Sequence, residues 1–367
     1  MSTINIHGYR GFEKFEISGL GRINLLVGAN NSGKTSALEA IYFLASRGEP
    51  SSLLQSLTQR GERVTTRREE SGFRPNVEFD VSHLFFGHES RVGAKFQIQS
   101  KNDGSSRSIN VSIEELADKD LAEVPPDPRL PPSRLALRIK GEPHPSVTTL
   151  RLSRLDAINL DSIESPRRIR RRTTDESGQT QFISPESLSA GDLAAMWDSV
   201  VLTDNENLVL RALQFLDPSI ERVAAQVGST YTSARGGFIV KQKGPGKPIP
   251  IGSLGGGMWR MLALAITITQ CRGGVLLVDE IDTGLHYSVL GNMWRLISDA
   301  AVQFEVQVFA TTHSSDCIKS FASVCIEQDL FASRPITLQR IEFGKSIATR
   351  YSPEEIRIAA DSNIEVR

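Results

Sequence analysis

The sequence predicts an α/β fold: a mixed central sheet with helices on both faces, carrying a phosphate loop and interrupted by an antiparallel β-rich insertion. Three observations carry this expectation. The apolar run Ile23–Val27 leads directly into GANNSGKTS, Gly28 to Ser36, a complete G-x-x-x-x-G-K-[ST] loop, and a helical stretch follows to about Ala45. Two short, continuous apolar runs, Val275–Val278 and Val306–Ala310, have the character of parallel strands covered on both faces. Between residues 48 and 181 the pattern changes to alternating segments separated by Gly, Asn, Asp and Pro.

In chain order, short strands are expected at Ile4–Ile6 and Phe15–Ile17, ahead of the strand that feeds the loop. The insertion is expected to hold strands at Asn76–Val81, Ala94–Ile98, Ile109–Ile113, Leu135–Ile139 and Val147–Leu152. Seven of the 17 prolines fall between Leu121 and Pro145, which predicts an irregular connector there rather than a long helix. Helices are expected at about Ala190–Leu202 and Glu206–Leu216, strands at Ile220–Val227 and Gly237–Lys241, and a glycine-rich turn opening a helix near Gly257. The resulting organisation is an N-terminal part of the nucleotide-binding head, 1–47, a β-rich insertion with loops, 48–181, and the C-terminal part of the head, 182–367.

A chain of 367 residues exceeds the size at which one core usually stops growing, so two lobes or a head with an insertion are expected. Its 42 basic and 43 acidic residues leave a net charge of −1, which excludes a global field toward nucleic acid or an anionic membrane. Cys271, Cys317 and Cys325 are too few and too poorly spaced for a disulfide framework or a zinc site, and they read as reduced core residues of a cytoplasmic protein. The beginning MSTINIHGYRGF lacks the design of a secretion signal, and no apolar run approaches the roughly 18 residues of a membrane span. Trp197, Trp259 and Trp294 sit at helical spacing among apolar neighbours and read as core.

A triphosphate needs several backbone N–H groups on one concave surface, and glycine lets the chain supply them. Gly28 and Gly33 occupy those positions, with Asn30, Asn31, Ser32 and Ser36 completing the cradle. Lys34 is expected to reach the β- and γ-phosphates, Thr35 to place its hydroxyl on Mg²⁺, and the following helix to direct its positive end at the anion. The chain is therefore expected to bind a nucleoside triphosphate. VLLVDE, Val275 to Glu280, is the second signal, an apolar strand that delivers two acids at its C-terminal end. Asp279 suits the Mg²⁺ shell, and Glu280 suits orientation or deprotonation of the water that attacks the γ-phosphate.

The third signal is SLGGGMWRMLALAIT, Ser253 to Thr267, in which a serine and three glycines precede an amphipathic helix about twenty residues before the acids. This arrangement resembles the signature motif of ABC-type ATPases, especially the SMC and RecF-like heads, with Ser253, Gly255, Gly256 and Gly257 in the signature positions, although the order departs from the common LSGG. The resemblance implies that two copies pair head-to-tail as a homodimer, the signature of one capping the γ-phosphate held by the other, with a higher oligomer of such dimers also open. In VFATTHSSD, Val308 to Asp316, His313 stands where that family places a histidine that contacts the γ-phosphate. Asp282, in IDTGLH, stands in the loop that would communicate between subunits. The glutamine that ABC-type heads use near Mg²⁺ is not located by any flanking pattern.

TINIHGYRGFEKFEI, ATTHSSDCI and the ending IATRYSPEEIRIA are similar to the ATPase of OLD-family proteins and their stand-alone relatives, many of which act in bacterial anti-phage defence. In OLD proteins a Toprim nuclease domain follows. Only about fifty residues follow His313 here, so any nuclease is expected on another chain. The function implied is an ATP-hydrolysing, Mg²⁺-dependent ATPase that controls a separately encoded effector protein in defence. A RecF-like DNA repair or recombination ATPase is the alternative. A transporter's energising subunit is a third, disfavoured by the long β-rich insertion. Lastly, Arg167, Arg168, Arg170, Arg171 and Arg172 crowd one short stretch, which reads either as a local DNA or RNA contact or as a solvated loop.

Overall fold

The computed structural model describes residues 1–66, 76–102, 104–117, 133–143, 146–153, 157–159, 179–185, 189–226, 237–327, 336–352, 354–356 and 358. The chain divides into two compact units that interleave in sequence. One comprises Met1–Gly19, Thr35–Glu176 and Glu342–Ala348; the other comprises Leu20–Lys34, Ser177–Ile341 and Thr349–Arg367.

The first unit is built on a six-stranded antiparallel sheet in the order Phe12–Ile17, Thr3–Tyr9, Lys95–Asn102, Ser105–Glu115, Leu135–Glu142, Ser146–Arg151. Alternation dictates which face is buried: Phe96 and Ile98 point inward between Lys95, Gln97 and Gln99, and Ile109, Val111 and Ile113 do the same on the neighbouring strand. The two N-terminal strands belong to this sheet, Ile6 lying opposite Ile98 and Phe15 opposite Ile6, so the β-rich part of the chain is not confined to the insertion. Local alternation announces such strands but does not name partners ninety residues away. Pro50–Gln59 is a helix that the alternating pattern did not predict, with proline in its first turn and Leu53 and Leu57 buried one turn apart.

Helix Lys34–Ala45 begins at the end of the phosphate loop, as expected. Its Glu39 is almost wholly buried and carries two arginines: Arg10 Nε lies 2.7 Å from one carboxylate oxygen and Arg60 Nε 2.7 Å from the other. Arg10 also grips Glu62 through two guanidinium nitrogens, and Arg60 Nη2 donates to Ser36 Oγ at 3.0 Å. Burial raises the Glu39 pKa and the two arginines oppose that rise, the balance required of a charge kept inside.

The second unit contains a six-stranded mixed sheet in the order Thr180–Ile183, Val275–Val278, Gln307–Thr311, Ile23–Val27, Thr337–Arg340, Thr349–Tyr351. The first five strands run parallel and the last is antiparallel. Every residue of Ile23–Val27 and Val275–Val278 is buried, which explains why both are apolar but for Asn24. Their side chains pack with helices Ala190–Trp197, Asn205–Gln214, Gly256–Thr269 and Tyr287–Gln303 in one large core. Trp197 and Trp294 are buried there, and Trp259 packs against it half-buried. A small sheet of Ile220–Ala225, Phe238–Gln242 and Ile249–Pro250 completes the unit.

One polar residue breaks the apolar strand that feeds the loop. Asn24 is fully buried, and its side chain makes four hydrogen bonds: it accepts from Gly21 N at 2.8 Å and Thr337 Oγ1 at 2.9 Å, and donates to Gly21 O and Val308 O at 3.1 Å each. Asn24 thereby ties the central strand to both neighbours. Asn24→Leu is expected to orphan these partners and lower unfolding stability by about 3 kcal/mol, read by urea denaturation; a change under about 1 kcal/mol would show that the knot is dispensable.

Candidate functional site

Sheet register creates the site. Ala310 lies opposite Val278 on one side and Leu25 on the other, so three adjacent parallel strands end together. The residues that follow them, Asp279 and Glu280, Thr312 and His313, and Gly28 onward, emerge at one C-terminal edge, where open α/β sheets place their ligands.

The loop turns sharply off its strand. Gly28 has φ +148°, and a side chain there would collide with the Ile341 carbonyl. Asn31 and Gly33 adopt φ +62° and +103°, which curls the chain into a cradle before the helix begins. Asn30 and Asn31 are exposed at its rim, whereas Ser32 is buried with its Oγ lacking a hydrogen-bond partner. Lys34 bends back over the loop, Nζ donating to Gly28 O at 2.8 Å and Ala29 O at 2.7 Å. Burial pulls its pKa down to about 8, against the opposing pull of Asp279 and Glu280. Thr35 is the second residue of the helix. Ser36 sits one further on, where its hydroxyl accepts from Arg60.

The acid pair is held by groups that the sequence did not single out. Asp279 N donates to Ile183 O at 2.7 Å, and Thr311 Oγ1 donates to Asp279 Oδ1 at 2.5 Å. The same Thr311 oxygen accepts from Glu280 N at 2.8 Å. Glu280 takes the left-handed conformation, φ +47°, uncommon outside glycine, and Thr283 Oγ1 donates to its carboxylate at 3.1 Å. Arg260, projecting from helix Gly256–Thr269, is buried and donates to three backbone carbonyls: Asp279 O at 2.8 Å, Glu280 O at 2.9 Å and Ser184 O at 3.2 Å. Burial pulls its pKa down to about 10. An arginine inside MWRMLALAI, an otherwise apolar helical run, was the available signal for this role.

His313 is half-buried, and its pKa is lowered first by burial and then by Lys34, while Glu280, Asp279 and Asp282 oppose that shift. These five groups therefore share one electrostatic environment. Asp282 Oδ1 accepts from Thr312 Oγ1 at 2.6 Å. In the signature segment, Ser253 and Gly255 are exposed, and Gly255 has φ +96°. Gly256 starts the helix. Gly257 packs so closely on the loop after the acids that an added Cβ would lie 2.8 Å from Gly284 O. The structure thus brings phosphate loop, acid pair, His313 and Asp282 together, and joins the signature helix to the acid pair through Arg260.

Cys271, Cys317 and Cys325 are free and buried, burial pushing the thiols of Cys271 and Cys325 up to about 12. Among the described residues, no cluster of three or more His, Cys, Asp or Glu side chains could hold a metal, and no helix is long and apolar enough to cross a membrane. The arginine run 167–172 and the connector around 121–132 lie outside the described residues.

Residues 23–316 match the family model described as "AAA domain, putative AbiEii toxin, Type IV TA system". An "ATP/GTP phosphatase" of Helicobacter pylori is 22% identical over 356 residues, covering 90% of this chain and 89% of that protein. A "DNA replication and repair protein RecF" of Bacillus thuringiensis is 44% identical over only 45 residues, 12% of each chain. Among solved structures, an Smc head domain from Pyrococcus furiosus, with an extended coiled coil and bound to the C-terminal domain of ScpA, aligns over 99% of both chains, at 12% identity and a TM-score of 0.48.

Proposed function

The chain belongs to this AAA-domain family, its matched residues running from the phosphate-loop strand to just beyond His313, and from that membership and the site we propose that it is an ATPase completed by a second copy of itself. The observation that carries the reading is the convergence of Lys34, Asp279, Glu280 and His313 at one sheet edge beside a complete phosphate cradle. The orphaned, buried Ser32 hydroxyl and the loop's two glycines fit an anion with several acceptor oxygens. Thr35 and Asp279 are the residues we assign to Mg²⁺, since both offer hard oxygen donors, the class that ion prefers when it shares phosphate oxygens. When bound, that ion would neutralise charge on the phosphates.

In this reading the loop amides and Lys34 bind the β- and γ-phosphates, Glu280 orients the attacking water and takes its proton, and His313 contacts the γ-phosphate. Asp282 faces the partner subunit. Ser253, Gly255, Gly256 and Gly257 cap the nucleotide of the partner, a role favoured by the exposure of Ser253 and Gly255. Two heads joined by ATP·Mg²⁺ part when hydrolysis removes the shared γ-phosphate, so dimerisation reports nucleotide state.

The biological purpose we propose is control of a separately encoded effector, a nuclease of Toprim type, in defence against phage. Its support is the likeness to stand-alone OLD-family ATPases together with the toxin named in the family description. The RecF-like repair reading keeps one observation in its favour, the 45-residue match to RecF. Purification of the Glu280→Gln protein from its host with ATP and Mg²⁺ separates them. A stoichiometric nuclease or toxin-like protein supports the defence reading, and DNA with repair proteins alone supports the other.

The arginine run adds a nucleic-acid contact to this proposal. Converting Arg167, Arg168, Arg171 and Arg172 to alanine is expected to weaken DNA or RNA binding by about tenfold at moderate salt while basal ATPase stays unchanged. An unchanged affinity in a filter-binding titration would remove that contact.

A further inference from the structure

We infer that the paired threonines Thr311 and Thr312 are positioning residues that tie the placement of His313 to two points of the adjoining loop, the acid pair and Asp282, an inference that rests on the ATPase reading. Both residues are buried, 1% and 0% exposed, at the end of the strand that leads to His313. Both hydroxyls reach one segment, Asp279–Asp282, which follows the adjoining parallel strand Val275–Val278, Thr311 at its start and Thr312 at its end.

The two hydroxyls are used in the same way. Thr311 Oγ1 accepts from Glu280 N and donates to Asp279 Oδ1. Thr312 Oγ1 accepts from Ser314 N at 3.0 Å and donates to Asp282 Oδ1. A hydroxyl has a single proton, and here each proton is aimed at a carboxylate while a backbone N–H satisfies the oxygen. Bonds to a carboxylate are the stronger, charge-assisted kind, and a hydroxyl engaged on both sides has a fixed rotor. Thr311 therefore sets the orientation of the Asp279 carboxylate and holds the backbone of Glu280 in its left-handed conformation. Thr312 holds the side chain proposed to face the partner subunit. A shift of the chain at His313 moves both hydroxyls, and through them both acids.

The plain alternative is that two β-branched residues merely suit a strand end. Valine satisfies that need and serine does not, whereas serine keeps the hydroxyl and valine loses it. The two roles thus predict opposite rankings.

The test is steady-state ATP hydrolysis by the full chain. Thr311→Val is expected to lower kcat by about tenfold or more with KM within about twofold, while Thr311→Ser stays within about threefold of wild type. In a Glu280→Gln background, Thr312→Val is expected to reduce the ATP-held dimer by about tenfold at equal concentration, and Thr312→Ser to restore it. Should a valine variant not fold, as judged by lost nucleotide binding, the alanine variant takes its place. Valine variants that match wild type, or serine variants that fail as valine does, overturn the inference while leaving the ATPase reading standing. A wild-type protein that hydrolyses no nucleotide overturns both.

Discussion

Glu280→Gln should slow ATP hydrolysis by at least about tenfold and leave nucleotide binding intact. The substitution is nearly isosteric, and an amide oxygen can still accept from Thr283 Oγ1, the bond that fixes this side chain. The backbone supports do not involve the carboxylate at all: Arg260 binds the Glu280 carbonyl, and Thr311 binds its N–H. What is lost is a group able to take a proton from water while it attacks. Because hydrolysis is what parts the subunits in this account, the same variant should accumulate as an ATP-held dimer. Phosphate release at saturating ATP measures the first effect. Normal turnover would refute the assignment of Glu280 as the base.

Lys34→Ala should reduce triphosphate affinity by about a hundredfold or more, measured by fluorescent-nucleotide titration, because it removes the cation proposed to bind the β- and γ-phosphates. It should do so without unfolding the protein. The folded-state pKa of Lys34, about 8, lies below its ordinary 10.5. The sign follows: below about pH 8 the lysine is charged whether the chain is folded or not, and burying that charge costs stability in full. The cost fades as pH rises from about 8 toward 10.5, where the folded state alone releases the proton. Alanine removes the cost, so the thermal midpoint at pH 7 should be no lower than wild type. A variant that binds nucleotide normally would place the phosphates elsewhere.

The parts of the fold that were legible in the sequence are those whose cause is local. Ile23–Val27, Val275–Val278 and helix Lys34–Ala45 matched residue for residue, because a strand buried on both faces is almost wholly apolar, Asn24 excepted, and the loop motif fixes where the helix starts. Strands Thr180–Ile183 and Thr337–Arg340 were missed. Each is four residues long and partly polar, and each becomes a strand only by pairing with Val275–Val278 or Ile23–Val27 from distant sequence. Helix Pro50–Gln59 was missed because its apolar residues, Leu53 and Leu57, are few and embedded among serines and glutamines.

The site divides along the same line. Residues expected to touch phosphate or water occur in recognisable motifs, so Lys34, Asp279 and Glu280 were named from the phosphate loop and the acid-ended strand, and His313 from the resemblance to ABC-type heads. Their supports were not, because Arg260, Thr311 and Thr312 act through hydrogen bonds to backbone or carboxylate across the sheet edge. A lone arginine in an apolar helix and a pair of threonines after a buried strand acquire meaning only when tertiary pairing sets them beside the acids.

The central claim, that each site is shared between two copies, is tested most directly by mixing two inactive proteins. Lys34→Ala removes the phosphate-loop half, and Ser253→Arg, at an exposed position, blocks the signature half without disturbing the core. Neither variant should hydrolyse ATP alone. Mixed in equal amounts they should regain activity, up to about half that of wild type, since only the mixed pair holds an intact site and it holds one of two. A mixture no more active than its components would contradict the shared site and return the whole reaction to a single chain.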